Sequence, residues 1–219
     1  MWSLWTAKSG VGCTALAVGV AATLRRHEVG GVLVVDLGGD LGVAVGAAEP
    51  PAGLTDWLAS DSSVDALVRL EAGLSSGVSL LGRGAATSWP ESRDQLLIGA
   101  LERDPRAVVV DVGLVSPRSL DAMARLRSRF AALPSALMVS RACYLGLRRA
   151  LELPDRPQAI VLVREQGRSI DAHECASILG APVVAQIDHD PAVARSLDRG
   201  RLLTRPPRSF VRQVRGALR

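Results

Sequence analysis

Aromatic side chains are scarce in this 219-residue chain, at 3% of positions with one Tyr and two Phe. A surface that stacks single-stranded nucleic acid needs a series of such rings, so no specific nucleic-acid partner is expected. Cysteine is nearly as rare. Cys13, Cys143 and Cys175 lie far apart, form no C-x-x-C pair and leave an odd count, which argues against a disulfide framework and against a zinc site and fits a reducing cytosol. No window reaches the roughly 18 uninterrupted apolar residues of a spanning helix, and the N-terminus lacks the pattern of an export signal, so a cytoplasmic protein is expected. Lysine is all but missing: among 26 basic residues Lys8 is the single lysine.

What is present is 48% apolar residues, enough to bury one core and short for two. Nearly continuous apolar runs recur at Trp2–Ala7, Val32–Asp36, Val78–Leu81, Val108–Val112, Ala136–Ser140, Ile160–Val163 and Val183–Ile187. Such runs suit the strands of a parallel sheet covered on both faces. The stretches between them supply crossover helices. Thr14–Arg26 is Ala-rich, Glu91–Glu102 follows a proline, Ser119–Phe130 follows Ser116-Pro117, Tyr144–Leu151 and Ile170–Leu179 end near Pro or Gly, and Pro191–Asp198 has Asp190 as N-cap. Gly38 to Pro51 reads as a surface loop. The expected architecture is a doubly wound α/β domain over residues 1–205, with a mainly parallel sheet and helices on both faces, followed by a basic amphipathic helix at 206–219.

The first run leads into Lys8-Ser9-Gly10-Val11-Gly12-Cys13-Thr14 and then into the Ala-rich helix. A strand, a Gly-rich loop and a helix in that order point backbone N–H groups and a positive helix end at an anion. Ser9, Gly10, Val11, Gly12, Cys13 and Thr14 are therefore the candidate phosphate cradle, with the Thr14 hydroxyl a candidate magnesium ligand. The segment resembles the deviant loop of the MinD/ParA family of P-loop ATPases, K-G-G-x-G-K-[ST], which Lys8, Gly10, Gly12 and Thr14 match and from which Ser9 and Cys13 depart. The resemblance implies ATP or ADP with Mg as ligands, a nucleotide-sandwich homodimer, and a catalytic role for Lys8, which in the family reaches the phosphates of the partner subunit. In the family the residue at the place of Cys13 is the lysine that contacts the β- and γ-phosphates. A thiol lacks that charge, and losing charge-assisted hydrogen bonds of about 1.5–3 kcal/mol each weakens binding about 10- to 100-fold. Cys13 reads first as a small residue filling the loop; a redox-sensing thiolate at the helix N-terminus is the other reading.

Two further segments follow in the family's order. Val35-Asp36-Leu37-Gly38-Gly39-Asp40-Leu41 looks like its D-x-D segment. Asp36 matches the first acid, implied to hold magnesium-bound water, but the water-orienting second acid is Gly38. Asp40 is either its substitute in catalysis or a turn residue. Val110-Asp111-Val112-Gly113 is similar to the switch segment, which implies Asp111 near magnesium and the Gly113 backbone near the γ-phosphate, at strand ends where such sheets bind ligands. Arg164, where many members carry an adenine-contacting Asn, reads as a solvated charge.

Residues 195–219 hold eight Arg against one acid, Asp198, so an electrostatic partner meets the tail. With Arg208 to Arg219 helical, Phe210, Val211, Val214 and Leu218 share one face and Arg208, Arg212, Arg215 and Arg219 the other. MinD-like proteins carry a C-terminal membrane-targeting helix, so the resemblance implies peripheral contact with an anionic inner-membrane face through those four apolar residues; the alternative is a terminal helix packed on the domain. The function it implies is a bacterial dimer-forming protein with degenerate ATP binding that positions or organises a cell-envelope machine, such as the division site or a Tad/Flp-type pilus assembly, a CpaE/TadZ-like member being one candidate subtype. An active Mg-dependent ATPase using Lys8, Thr14, Asp36 and Asp111 and a nucleotide-independent scaffold both stay open. A dethiobiotin-synthetase-like ligase is disfavoured, because no polar cluster marks an acceptor site.

Overall fold

A computed structural model of the chain describes residues 1–26, 30–74 and 77–218. Its strands are β1 (Trp2–Thr6), β2 (Val32–Asp36), β3 (Glu71–Gly73), β4 (Val78–Leu81), β5 (Ala107–Leu114), β6 (Ala136–Arg141), β7 (Ala159–Arg164) and β8 (Val183–Asp188). They form one sheet in the order β3-β4-β2-β5-β1-β6-β7-β8, parallel throughout except for the β3–β4 pair. The helices are α1 (Cys13–Leu24), α2 (Leu41–Val45), α3 (Leu54–Leu58), α4 (Ser92–Glu102), α5 (Ala122–Ala131), α6 (Tyr144–Leu151), α7 (Ala172–Leu179), α8 (Pro191–Leu197) and α9 (Arg208–Ala217).

Period-two alternation sends neighbouring side chains of each strand into two cores. Trp5, Val35 and Val110 join Trp57, Leu126 and Phe130 beneath α3 to α7. Leu4, Val34 and Val109 join Leu16, Val193 and Val214 beneath α1, α2, α8 and α9. Helices thus cover both faces, and the carboxyl ends of the parallel strands gather at one edge, where the Gly-rich loop between β1 and α1 lies. This is the expected doubly wound α/β class.

Three local features differ from the sequence reading. The antiparallel edge strand β3 is short and polar, held by Arg106, which donates to Glu71 at 2.6 and 2.7 Å; no apolar run announces it. The segment after β2 is not all loop, since α2 spans five residues of it, too few to show a helical period. The helix expected from Ser119 begins at Ala122, because the Asp121 carboxylate accepts from the Ala124 N–H at 2.7 Å and caps it there.

The C-terminal helix is seated on the domain. Phe210, Val211 and Val214 are 4%, 9% and 0% exposed, and half-buried Leu218 packs against the same core. A Cβ at Gly19 of α1 would fall 2.5 Å from Phe210 Cε1, so the ring occupies the space that this glycine leaves. The four residues expected to meet a membrane therefore face protein instead, because each buried side chain of this size is stabilised by about 1.5–3 kcal/mol against the sheet and α1. Arg208, Arg212 and Arg215 face outward, and Arg219 lies outside the described residues. Among the described residues no helix is long and apolar enough to cross a membrane.

Candidate functional site

The Thr6 hydroxyl ends β1 by donating to Lys8 O at 3.0 Å and accepting from Lys8 N–H at 3.2 Å, which turns the chain into the loop. Gly10 and Gly12 adopt φ of +77° and +100°, where an L side chain is strained. A Cβ at either would meet nothing within 4 Å, so the loop faces open space. Gly12 caps α1 without a side-chain hydrogen bond, and no acid occupies the first turn. No acid in the first turn of this 12-residue helix competes for the N–H groups at its start, which favours an anion there. A cavity of about 250 Å³ runs from Gly10, Gly12 and Ala15 to Ile187, His189 and Phe210. A mostly apolar cleft beside an anion cradle suits a nucleoside attached to phosphates.

Across the loop stands β5. Leu4 pairs with Asp111 and Trp5 with Gly113, so Val112 is an extra residue and the strand bulges. Asp111 is 0% exposed, and neither of its carboxyl oxygens makes a well-formed hydrogen bond, although the Thr14 hydroxyl, the Cys13 thiol and the Gly113 N–H lie close around it. Burial raises its pKa from 3.8 to about 6; the Thr14 hydroxyl beside it pulls the value down, neighbouring Asp36 adds to the rise, and the Cys13 thiol and Gly113 N–H counter it. Cys13 is 6% exposed. Burial first, then the charge of Asp111, raises the pKa of its thiol, so desolvation here opposes the helix end that the thiolate reading relies on.

The remaining candidates are placed as follows. Half-buried Lys8 donates Nζ–H to Ser9 O at 3.4 Å, beside exposed Ser9, and Val11 is turned into the second core. Asp36 accepts from Gly39 N–H at 2.6 Å and Leu41 N–H at 3.1 Å, so it fastens the β2–α2 loop. Burial nonetheless raises its pKa, with those amides pulling the other way. Asp40 is exposed at the start of α2 and makes no capping bond. Gly113 has φ +73°, and a Cβ there would fall 2.8 Å from Gly38 Cα. Arg164 pairs with Asp188, Nε donating at 2.8 Å, at the exposed end of β7.

Thr14 and Asp111, which the fold brings side by side, could hold a magnesium ion. Their oxygen donors suit that hard cation, which keeps waters and phosphate oxygens for its other positions. The two buried oxygens of Asp111, which make no well-formed hydrogen bond, are what fits it, since such a carboxylate is costly alone. Among the described residues no three His, Cys, Asp or Glu side chains converge to hold a metal unaided.

Sequence reasoning missed two arginines. Arg141 at the end of β6 lines the cavity beside the loop and donates to Glu165 at 2.5 Å. Arg127 of α5 donates to the backbone of the β2–α2 loop from 90 residues away, and no local pattern could have shown it.

No protein-family model and no curated protein matches the sequence. Solved structures match its fold along the whole chain. A ParA family ATPase from Chlorobium tepidum TLS superposes with a TM-score of 0.72 at 20% identity, over 100% of this chain and 98% of that one. The septum site-determining protein MinD complexed with Mg-ADP, from Pyrococcus horikoshii OT3, gives 0.73 at 18% identity, over 99% and 94%. The MinD cell division protein of Aquifex aeolicus gives 0.75 at 15% identity, over 98% and 95%. The chain has the fold of these P-loop proteins.

Proposed function

We propose that this chain, built on the ParA/MinD fold from end to end, is a positioning protein whose phosphate loop takes Mg-nucleotide weakly. It acts as a homodimer that organises a cell-envelope machine, at the division site or in a Tad/Flp-type pilus. The observation that carries the reading is the buried Asp111 carboxyl, with no well-formed hydrogen bond at either oxygen, beside Thr14 at the mouth of a glycine cradle. A structure of the same fold, MinD from Pyrococcus horikoshii, is complexed with Mg-ADP. In this chain Gly10, Gly12 and the start of α1 bind phosphate, and Thr14 with Asp111 holds magnesium, which supplies positive charge against the phosphates. Asp36 sets the loop beside them. Cys13 adds no charge, so affinity is low and phosphoryl transfer is unsupported. Lys8 reaches the partner subunit's phosphates. A peripheral contact with anionic headgroups rests on the outward arginines of α9, its apolar face remaining seated.

The uncharged side chain of Cys13 favours a second reading, a scaffold that dimerises without nucleotide, because two facing loops that lack the family's lysine at this place repel each other less. Sedimentation of wild type and Lys8→Ala, with and without Mg-nucleotide, separates the two. A nucleotide-dependent dimer that Lys8→Ala weakens supports the first. A dimer indifferent to both changes supports the scaffold, and a monomer under all conditions, at concentrations on the order of tens of micromolar, overturns the homodimer.

A further inference from the structure

Besides being seated on the domain, α9 forms one wall of the cavity beside the Gly-rich loop. Phe210 lines that cavity and also fills the space over Gly19. The ring thus has α1 on one side and the cavity on the other. Gly12 in the cradle and Gly19 beneath the ring are seven residues apart, a helical rise of about 10 Å. That separation leaves room for a sugar and a base between the phosphate cradle and the ring.

The polar ties of α9 run to the same cavity. Gln213 Oε1 accepts from Asp188 N–H at 2.6 Å, at the end of β8. Ser209 Oγ donates to Asp190 Oδ2 at 2.9 Å, while Asp190 Oδ1 accepts from Ala192 N–H at 2.8 Å and starts α8. Asp188 and Asp190 line the cavity together with Val193 and Leu197 of α8. Seating of α9 therefore supplies one wall and fastens the loop that frames another. A ten-residue helix held by three buried apolar side chains opens locally at lower cost than the sheet beneath it.

We propose that α9 is a releasable wall of this cavity: a nucleoside phosphate bound there holds α9 down, and release of α9 opens the cavity and weakens the ligand. This rests on the nucleotide reading above and adds its regulation. The nucleoside meets Phe210 only while α9 is seated, so occupancy and seating favour each other, and the coupling is equal in both directions. When α9 lifts, Phe210, Val211 and Val214, all buried in the seated state, come free together. A partner that takes this apolar face competes with the nucleotide.

Amide hydrogen exchange on the full chain, with Mg-ADP or Mg-pyrophosphate, tests this, because pyrophosphate has nothing to place in the cavity. At ten times its Kd, ADP should slow the α9 amides about tenfold when the lifted state does not bind, whereas pyrophosphate at the same multiple of its own Kd should leave them within about twofold. In calorimetry Phe210→Ala should weaken ADP at least about tenfold and leave pyrophosphate within about twofold. Phe210→Leu, a smaller apolar wall, serves if the alanine variant does not fold, and should weaken ADP at least about threefold. Three results overturn the wall while nucleotide binding stands: ADP that leaves α9 exchange unchanged, pyrophosphate that slows it equally, or variants that weaken both ligands alike or neither. Pyrophosphate bound as tightly as ADP by wild type overturns the nucleoside cavity and its wall but keeps the cradle. Failure of wild type to bind either ligand overturns the nucleotide reading and the wall with it.

Discussion

Asp111→Asn should stabilise the protein freed of metal and nucleotide, and by more as the pH rises. The carboxyl is fully buried, makes no well-formed hydrogen bond at either oxygen and has Asp36 as a neighbouring acid. Its pKa is raised from 3.8 to about 6, burial being the first cause. A carboxyl that keeps its proton to a higher pH in the folded than in the unfolded state reduces stability as pH climbs between the two values. The reduction is complete above the folded pKa and absent below the unfolded one. At about 1.4 kcal/mol per pKa unit, it amounts to about 3 kcal/mol near pH 7 and nothing below about pH 4. Other carboxylates act in the opposite sense. Asp104, Asp121, Glu165 and Asp190 are held below their ordinary values by arginines or backbone amides, so they lose stability on acidification. Comparing wild type with Asp111→Asn at each pH cancels their contribution. Urea unfolding in EDTA should show the variant ahead by about 3 kcal/mol at neutral pH and nearly level at pH 4. A pH-independent gap, or a variant less stable than wild type at neutral pH, would refute the assignment of Asp111 as a desolvated carboxylate.

Phe210→Ala empties the space over Gly19 and should cost about 3–5 kcal/mol, seen as a lower urea midpoint, whereas Arg212→Gln on the outward face should change stability by less than about 0.5 kcal/mol. Equal effects would mean that α9 is not docked in solution. Asp94, 0% exposed, accepts from Trp89 Nε1 and Arg125 Nε at 2.7 Å each and pairs with Arg129 at 3.2 Å. Asp94→Ala leaves those donors unpaired and should cost about 3–5 kcal/mol in the same assay; a loss below about 1 kcal/mol would show that the cluster contributes little. Hydrolysis should stay slow even in Cys13→Lys, because Gly38 supplies no carboxylate to orient water; sustained phosphate release by that variant would assign the task to exposed Asp40.

Seven of the eight strands were legible because a parallel sheet buries both faces of short β-branched runs such as Val32–Asp36, whereas β3 carries no such run. The order of the phosphate loop, the Asp36 segment and the Asp111 segment was legible for the same reason, each following such a run. Motif matching could not show that Asp36 is already occupied by the Gly39 and Leu41 amides, since its identity is the same whether it fastens a loop or meets a cation. The apolar face of α9 was correctly located but not what covers it. Amphipathicity is equal for a helix against lipid and one against protein, and the discriminating residue, Gly19, lies in a different helix. Arg127 bridges segments that only the tertiary fold brings together.

The central claim is that the glycine cradle still takes nucleotide and that Cys13 is what weakens it. Calorimetric titration of Mg-ADP into wild type and Cys13→Lys tests it most directly. The account predicts measurable but weak binding to wild type and at least about a tenfold gain from the lysine, about 1.4 kcal/mol. Submicromolar binding by the unaltered protein, or a lysine variant that binds no better, would contradict it.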